Sequence, residues 1–411
     1  SSATQTITLL PGAATHLAVK TAGAGAVNGV AFTTQPQINI LDADDNVVTG
    51  ASNTVTVALV ESGATLAGTK TATPSTGFAT FSGLKLTGTV GSYTLRYTAT
   101  GLTSVDSSIS LGYGAADHLA ITTNSAGISN RIAFTTQPTV IVQDASNNTV
   151  FNSTVSISAS ASAGNGATLS GGTGGAASSG SYSFAALKLT GAVGDYTITY
   201  ASTGLTSITE TVTLLPGVAT QVVQTTNAAG FTNRVAFTTQ PVVKIEDADG
   251  NVVTTSSATV SVTASAGNGA VLSGNATPAT ASSGVATFSG LTFTGKVGSY
   301  TLTFASSGLT SATQTVTLLP GAATHLSVKT SAAGAVNAVA FTTQPQINVL
   351  DADNNVVTAS TDTVSVALVE SGATLAGTKT ATPSSGVATF AGLKLTGLVG
   401  NYTLRYTATG L

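Results

Sequence analysis

Cysteine, methionine and tryptophan do not occur anywhere in the 411 residues. Without cysteine the chain has neither a disulfide framework nor a thiolate metal site. Charge is scarce too: 7% of residues are charged, 13 basic against 16 acidic, for a net −3. So small and balanced a charge gives no footprint for nucleic acid or an anionic membrane surface. No apolar run approaches the ~20 residues of a membrane helix. The first residues read as polar strand sequence, not as a signal peptide, so a mature or excised chain is expected. Catalytic signatures are missing as well. There is no Gly-x-Ser-x-Gly elbow, and Gly23-Ala24-Gly25 lacks the further glycine and the helix of a phosphate-binding loop. No catalytic or cofactor-binding residue, and no enzyme activity, is expected.

What fills the space is Ala, Thr, Ser, Gly and Val, with 42% hydrophobic residues, enough to build cores and too many for a disordered tail. Internal repetition organises it. Residues 9–17 recur unchanged at 318–326, with looser copies near Gly112 and Leu214. Ala-Phe-Thr-Thr-Gln-Pro occurs four times, ending at Pro36, Pro138, Pro241 and Pro345. A Phe followed twelve residues later by Tyr recurs at Phe81/Tyr93, Phe184/Tyr196, Phe288/Tyr300 and Phe390/Tyr402. The period, about 102 to 104 residues, is the size of one immunoglobulin-like sandwich.

Within each repeat apolar residues alternate with period two, as in Thr54-Val55-Thr56-Val57-Ala58-Leu59, the pattern of a half-buried strand. Seven strands are expected in the first copy, near 16–21, 37–41, 54–60, 64–73, 77–86, 91–98 and 105–111. Phe81 and Leu84 should point between the sheets, and Gly91-x-Tyr93 has the form of a tyrosine corner. The fold class is therefore all-β, a tandem array of four immunoglobulin-like β-sandwich domains set end to end. Domains are expected at 11–112, 113–215, 216–319 and 320–411. Residues 1–10 form a lone strand without a domain, and the fourth domain lacks its last strand. Two explanations stay open: a segment of a longer repeat protein, or donation of residues 1–10 to a neighbouring copy. Repeats two and three carry extra residues around Gly164-Asn165-Gly166 and Gly267-Asn268-Gly269, which belong in surface loops. Short Pro-Gly junctions such as Pro320-Gly321 should limit bending.

The segment from Thr239-Gln240-Pro241 through Glu246-Asp247-Ala248-Asp249-Gly250-Asn251 to Val253, then Gly284-Val285-Ala286-Thr287-Phe288 and Gly298-Ser299-Tyr300-Thr301-Leu302, resembles bacterial immunoglobulin-like repeats of the invasin and intimin type. That resemblance implies secretion, an extracellular or cell-surface location, and a stalk or spacer role. Recognition tips in such adhesins are usually separate terminal domains.

Three sets of side chains invite chemistry. His16, His118 and His325 share one repeat position, which Gln221 fills in the other copy; one histidine per domain reads as a packing or surface position. Asn152, Asn275 and Asn401 head Asn-x-Ser/Thr sequons, relevant only where the source glycosylates them. Asp42, Asp44 and Asp45, then Glu246, Asp247 and Asp249, then Asp351 and Asp353 offer hard oxygen ligands for calcium. Repeat two keeps only Asp144 there, and the stretches lack the twelve-residue loop of an EF-hand, so a plain hairpin tip is preferred. The function expected is a non-enzymatic stalk or filament subunit of a bacterial surface adhesin or fibre. Its partners would be other copies of itself or further repeats, with no nucleic acid and no membrane insertion of this segment. The rival readings are a glycan- or protein-binding adhesion module and a surface-layer lattice protein.

Overall fold

A computed structural model describes every residue except 163, 165, 266, 268 and 275–277. Parts of the two loop insertions and the Asn275 sequon lie outside the described residues. Strands are the regular elements throughout the described chain, which follows from the period-two pattern and the wealth of Val, Ile and Thr. The chain forms two compact units, Ser1–Leu215 and Pro216–Leu411. Each holds two sequence repeats.

In the first repeat the strands are β1 (His16–Thr21), β2 (Ala26–Val27), β3 (Gln37–Leu41), β4 (Val55–Leu59), β5 (Ala64–Thr69), β6 (Thr71–Ala72), β7 (Phe78–Thr80), β8 (Ser82–Gly88), β9 (Gly91–Thr98) and β10 (Val105–Gly112). One layer runs β1-β3-β7, and the other runs β2-β10-β9-β4-β6. β5 and β8 pair separately. Ile38, Ile40, Phe81, Leu84, Leu95 and Tyr97 meet between the layers with at most 1% of their surface exposed. This is the two-layer sandwich expected of an immunoglobulin-like domain. Each of the other repeats encloses its own cluster in the same way.

The structure departs from the expected strands in two respects. The stretches 64–73 and 77–86 are each broken in two, and the pieces serve different partners: β6 joins β4, β7 joins β3, and β5 pairs with β8. A bulge lies between Ala67 and Thr69. There Gly68 has φ +102°, and a Cβ on it would fall 2.2 Å from the Gly83 carbonyl oxygen. Only glycine fits such a place. The short β2 pairs in parallel with β10 and has no periodic signal of its own.

The most specific sequence landmark proves to be an internal clamp. Gln35 donates through Nε2 to the carbonyls of Phe32 and Leu84 and accepts the Leu84 amide on Oε1. Gln137, Gln240 and Gln344 repeat this arrangement. The second landmark is the tyrosine corner. The hydroxyls of Tyr93, Tyr196, Tyr300 and Tyr402 each donate to the carbonyl four residues upstream.

The fourth repeat differs at one edge. Strand Leu404–Ala408 pairs with Val364–Leu368 on one side only. In the third repeat its counterpart Gly298–Ala305 also pairs with Ala312–Leu318. Tyr300, Leu302 and Phe304 are accordingly buried to 1% or less, whereas Tyr402, Leu404 and Tyr406 remain partly exposed. Residues 1–10 form no strand, and Ile7, Leu9 and Leu10 are 81%, 94% and 75% exposed.

Candidate functional site

The acidic hairpin tips are the most elaborate polar sites in the described chain. Each begins with an aspartate at the end of the strand equivalent to β3 and turns back on itself. In the first repeat the Asp42 amide donates to the Asn46 carbonyl, and the amides of Asp44 and Asn46 donate to Asp42 Oδ1. Asn46 Nδ2 adds weaker bonds at 3.3 Å to both carboxylate oxygens. This is the side-chain-stabilised turn that Asp and Asn favour. A further donor comes from thirty residues away: the Gly12 amide lies 2.8 Å from Asp42 Oδ2. Gly114, Gly217 and Gly321 do the same for Asp144, Asp247 and Asp351. The junction glycine is thus tied to the tip of its own repeat.

Between the first and second repeats the carboxylate takes one more partner. Asn28 Nδ2 donates to Asp144 Oδ2 at 2.8 Å, while Asn28 Oδ1 accepts the Gly88 amide. Asn148 reaches back, accepting the Val90 amide and donating to the Gly88 carbonyl. The same five-part arrangement links the third and fourth repeats. Asn233 Nδ2 donates to Asp351 Oδ2 at 2.9 Å, Asn233 Oδ1 accepts from Gly295, and Asn355 binds the Val297 amide and the Gly295 carbonyl. There Arg234 adds a bidentate pair to Asp353 at 2.8 and 2.9 Å, and Lys296 caps the Asp353 carbonyl. Asp144 and Asp351 are each 1% exposed.

Burial alone would push these acids toward their neutral form. For Asp144 the side chains of Asn28 and Asn148 and the amides of Gly114 and Asn148 outweigh it, holding the carboxyl well below its ordinary 3.8. Asp351 follows the same course through Asn355, Asn233 and Gly321. Hydrogen bonds to the ionised form have this effect. Asp353 is lowered chiefly by Arg234.

The calcium candidates are therefore dispersed in role. Asp42, Asp247 and Asp351 face N–H donors from several directions, and a cation there would have to displace them. Asp45 turns away to His16 Nε2 at 2.9 Å, and Asp353 to Arg234. Asp44 and Asp249 each give their backbone amide to the aspartate two residues before. Among the described residues no three acidic or histidine side chains gather as a metal cage. His16, His118 and His325 are half-buried and bond to Asp45, Asp117 and Asn354 respectively. Of the sequon asparagines, Asn152 and Asn401 are exposed.

Sequence reading found the acids but missed what they bind. The signal was present: an Asn four residues after each aspartate, at 46, 148, 251 and 355, and an Asn four residues before each landmark Phe, at 28, 130, 233 and 337.

No family model matches the chain, and no curated protein matches it. Solved structures do. The chain is similar to the Escherichia coli adhesin FdeC, at 18% identity and TM-score 0.36 over 76% of this chain and 100% of that one. Protocadherin gammaB7 EC3-6 is 12% identical with TM-score 0.34, over 95% and 99% of the two chains. Invasin, a bacterial integrin-binding protein, is 16% identical with TM-score 0.34, over 96% of this chain and 76% of that one. All three superpose loosely and at low identity.

Proposed function

We propose that the chain is a non-enzymatic, extracellular structural protein, the stalk or filament part of a bacterial surface adhesin or fibre, divided into repeats at 11–112, 113–215, 216–319 and 320–411. We further propose that copies join head to tail when residues 1–10 of one add a strand to the fourth repeat of the next. One observation carries the joining step: the edge of Leu404–Ala408 is unpaired, and the chain holds a segment of the required chemistry. Ser2–Leu10 matches 311–319, which contains the strand closing the third repeat, at every position but Ile7 for Val316.

The register follows from the third repeat, where Leu318 pairs with Gly298, Val316 with Tyr300 and Gln314 with Leu302. Leu9 would then face Gly400, Ile7 would face Tyr402 and Gln5 would face Leu404. Burying Ile7 and Leu9 contributes roughly 1.5–3 kcal/mol each, and the unpaired backbone gains a ladder partner. Gln5 supplies a polar check on register. Its counterpart Gln314 accepts the Ala228 amide and donates to the Ala228 carbonyl, and Ala332 occupies that place in the fourth repeat.

The absence of cysteine makes the test clean. Thr6→Cys and Thr403→Cys in one chain place two thiols at the exposed pair equivalent to Thr315 and Thr301, within disulfide reach only if the strand inserts. Mild oxidation should give a ladder of covalent multimers on a non-reducing gel. A chain that stays monomeric, while a pair at Thr301 and Thr315 oxidises internally, contradicts strand donation.

A further inference from the structure

Inside the first unit, repeat two departs from the other three repeats at two positions that touch each other. Tyr113 stands where the others have Pro11, Pro216 and Pro320, and Phe151 where they have Thr49, Thr254 and Thr358. The two rings meet edge to face, with centroids 6.3 Å apart. Tyr113 is half-buried, but Phe151 keeps 60% of its surface exposed. Single exposed apolar residues are ordinary. A pair replaced together and in contact is not explained by a fold that the other three repeats build without it. Beside the pair lies an open groove of about 470 Å³, lined by Val27 of repeat one and by Tyr113, Ala116, Val150, Asn152 and Ser153 of repeat two. Among the described residues none that lines it is charged. Ser153 is 8% exposed, and its Oγ meets no hydrogen-bond partner. Its counterparts are satisfied within their own turns: Ser256 Oγ accepts the Ala258 amide, and Ser360 Oγ donates to Asp362. Repeat one has Ala51 at that place.

We propose that this groove binds an uncharged sugar ring of a glycan chain. A pyranose has a face of C–H groups and a rim of hydroxyls. The C–H face packs on the Tyr113 and Phe151 rings, and rim hydroxyls meet the Asn152 carboxamide and Ser153 Oγ. A buried hydroxyl left without a partner is costly, and a turn about χ1 to another staggered position offers this one to the ligand. Aromatic walls with a few placed polar groups are the usual make-up of a small-ligand site, and the groove falls within its ~300–1,000 Å³ range. A sulfated or sialylated ring would find no cation in the lining to pair its charge. The site is additional to the stalk role and does not depend on how copies join.

The test applies the full chain, made in a host that does not glycosylate Asn152, to a printed array of neutral and acidic oligosaccharides. Retention on neutral glycans is expected. Calorimetry with the best-retained neutral oligosaccharide then compares variants. Tyr113→Pro with Phe151→Thr copies the other three repeats, so it should fold, and it should weaken binding tenfold or more. Ser153→Ala copies Ala51 and should weaken binding about three- to tenfold, the loss of one hydrogen bond, without lowering the melting temperature. Saturation-transfer NMR on the same oligosaccharide should mark the C–H protons of one ring face. No retention on any neutral glycan, retention on acidic glycans alone, or unchanged affinity in the aromatic double variant overturns the proposal. So does weaker self-association of that variant without glycan binding, which would assign the pair to contact between copies.

Discussion

Tyr97 and Asp144 show how differently two buried polar side chains can be treated. Tyr97 is fully buried against Phe81, and its hydroxyl meets no hydrogen-bond partner; burial pushes its ionisation far up. Phe304 occupies the same place in the third repeat, against Phe288. Tyr97→Phe should therefore be neutral or stabilising by up to about 1 kcal/mol in urea denaturation, since it removes an unsatisfied group. Asp144 is the opposite case, saturated by donors. Asp144→Asn turns an amide toward those donors and should cost about 3 kcal/mol at neutral pH. The pH dependence follows from the lowered carboxyls. A depressed folded-state value contributes stability that is complete above the ordinary 3.8 and is lost as pH falls through the lower folded value. Melting temperature should stay flat from pH 7 to about 4 and drop steeply only in stronger acid. Calcium titrated into chelator-treated protein should release no heat, because the tip carboxylates are occupied by amides. A melting shift on adding calcium would show that reading to be mistaken.

Most elements were legible in the chain because each half-buried strand writes its own alternation. Positions 37–41 and 91–98 match β3 and β9 to the residue, and Phe81 and Leu84 lie where the pattern put them. The broken strands were not legible. Alternation runs straight through Gly68, and the break there comes from a close backbone approach between two strands distant in sequence. Nor could alternation reveal the two-residue β2, too short to have a period. The candidate site was half legible: the acids and asparagines stand out by composition, but their partners are a repeat away and share no local pattern. Gly171, at the bulge equivalent to Gly68, has φ +102° with the Ala186 carbonyl oxygen 1.9 Å from where a Cβ would lie. Gly171→Val should destabilise the second repeat by at least 3 kcal/mol, read as a separate early transition in a thermal scan.

At the scale of the whole molecule, the four repeats spend their most specific residues on themselves: the Gln clamps, the tyrosine corners and the Asp–Asn hubs. One edge, Leu404–Ala408, has no second neighbour, and the apolar residues Ile7, Leu9 and Leu10 are exposed. The proposed head-to-tail joining would account for both. The direct measurement is sedimentation velocity of the intact chain and of a chain lacking residues 1–10, over a hundredfold range of concentration. The intact chain should grow into progressively larger species as concentration rises, and the shortened one should sediment as a monomer throughout. Equal growth by both, or none by either, would contradict it.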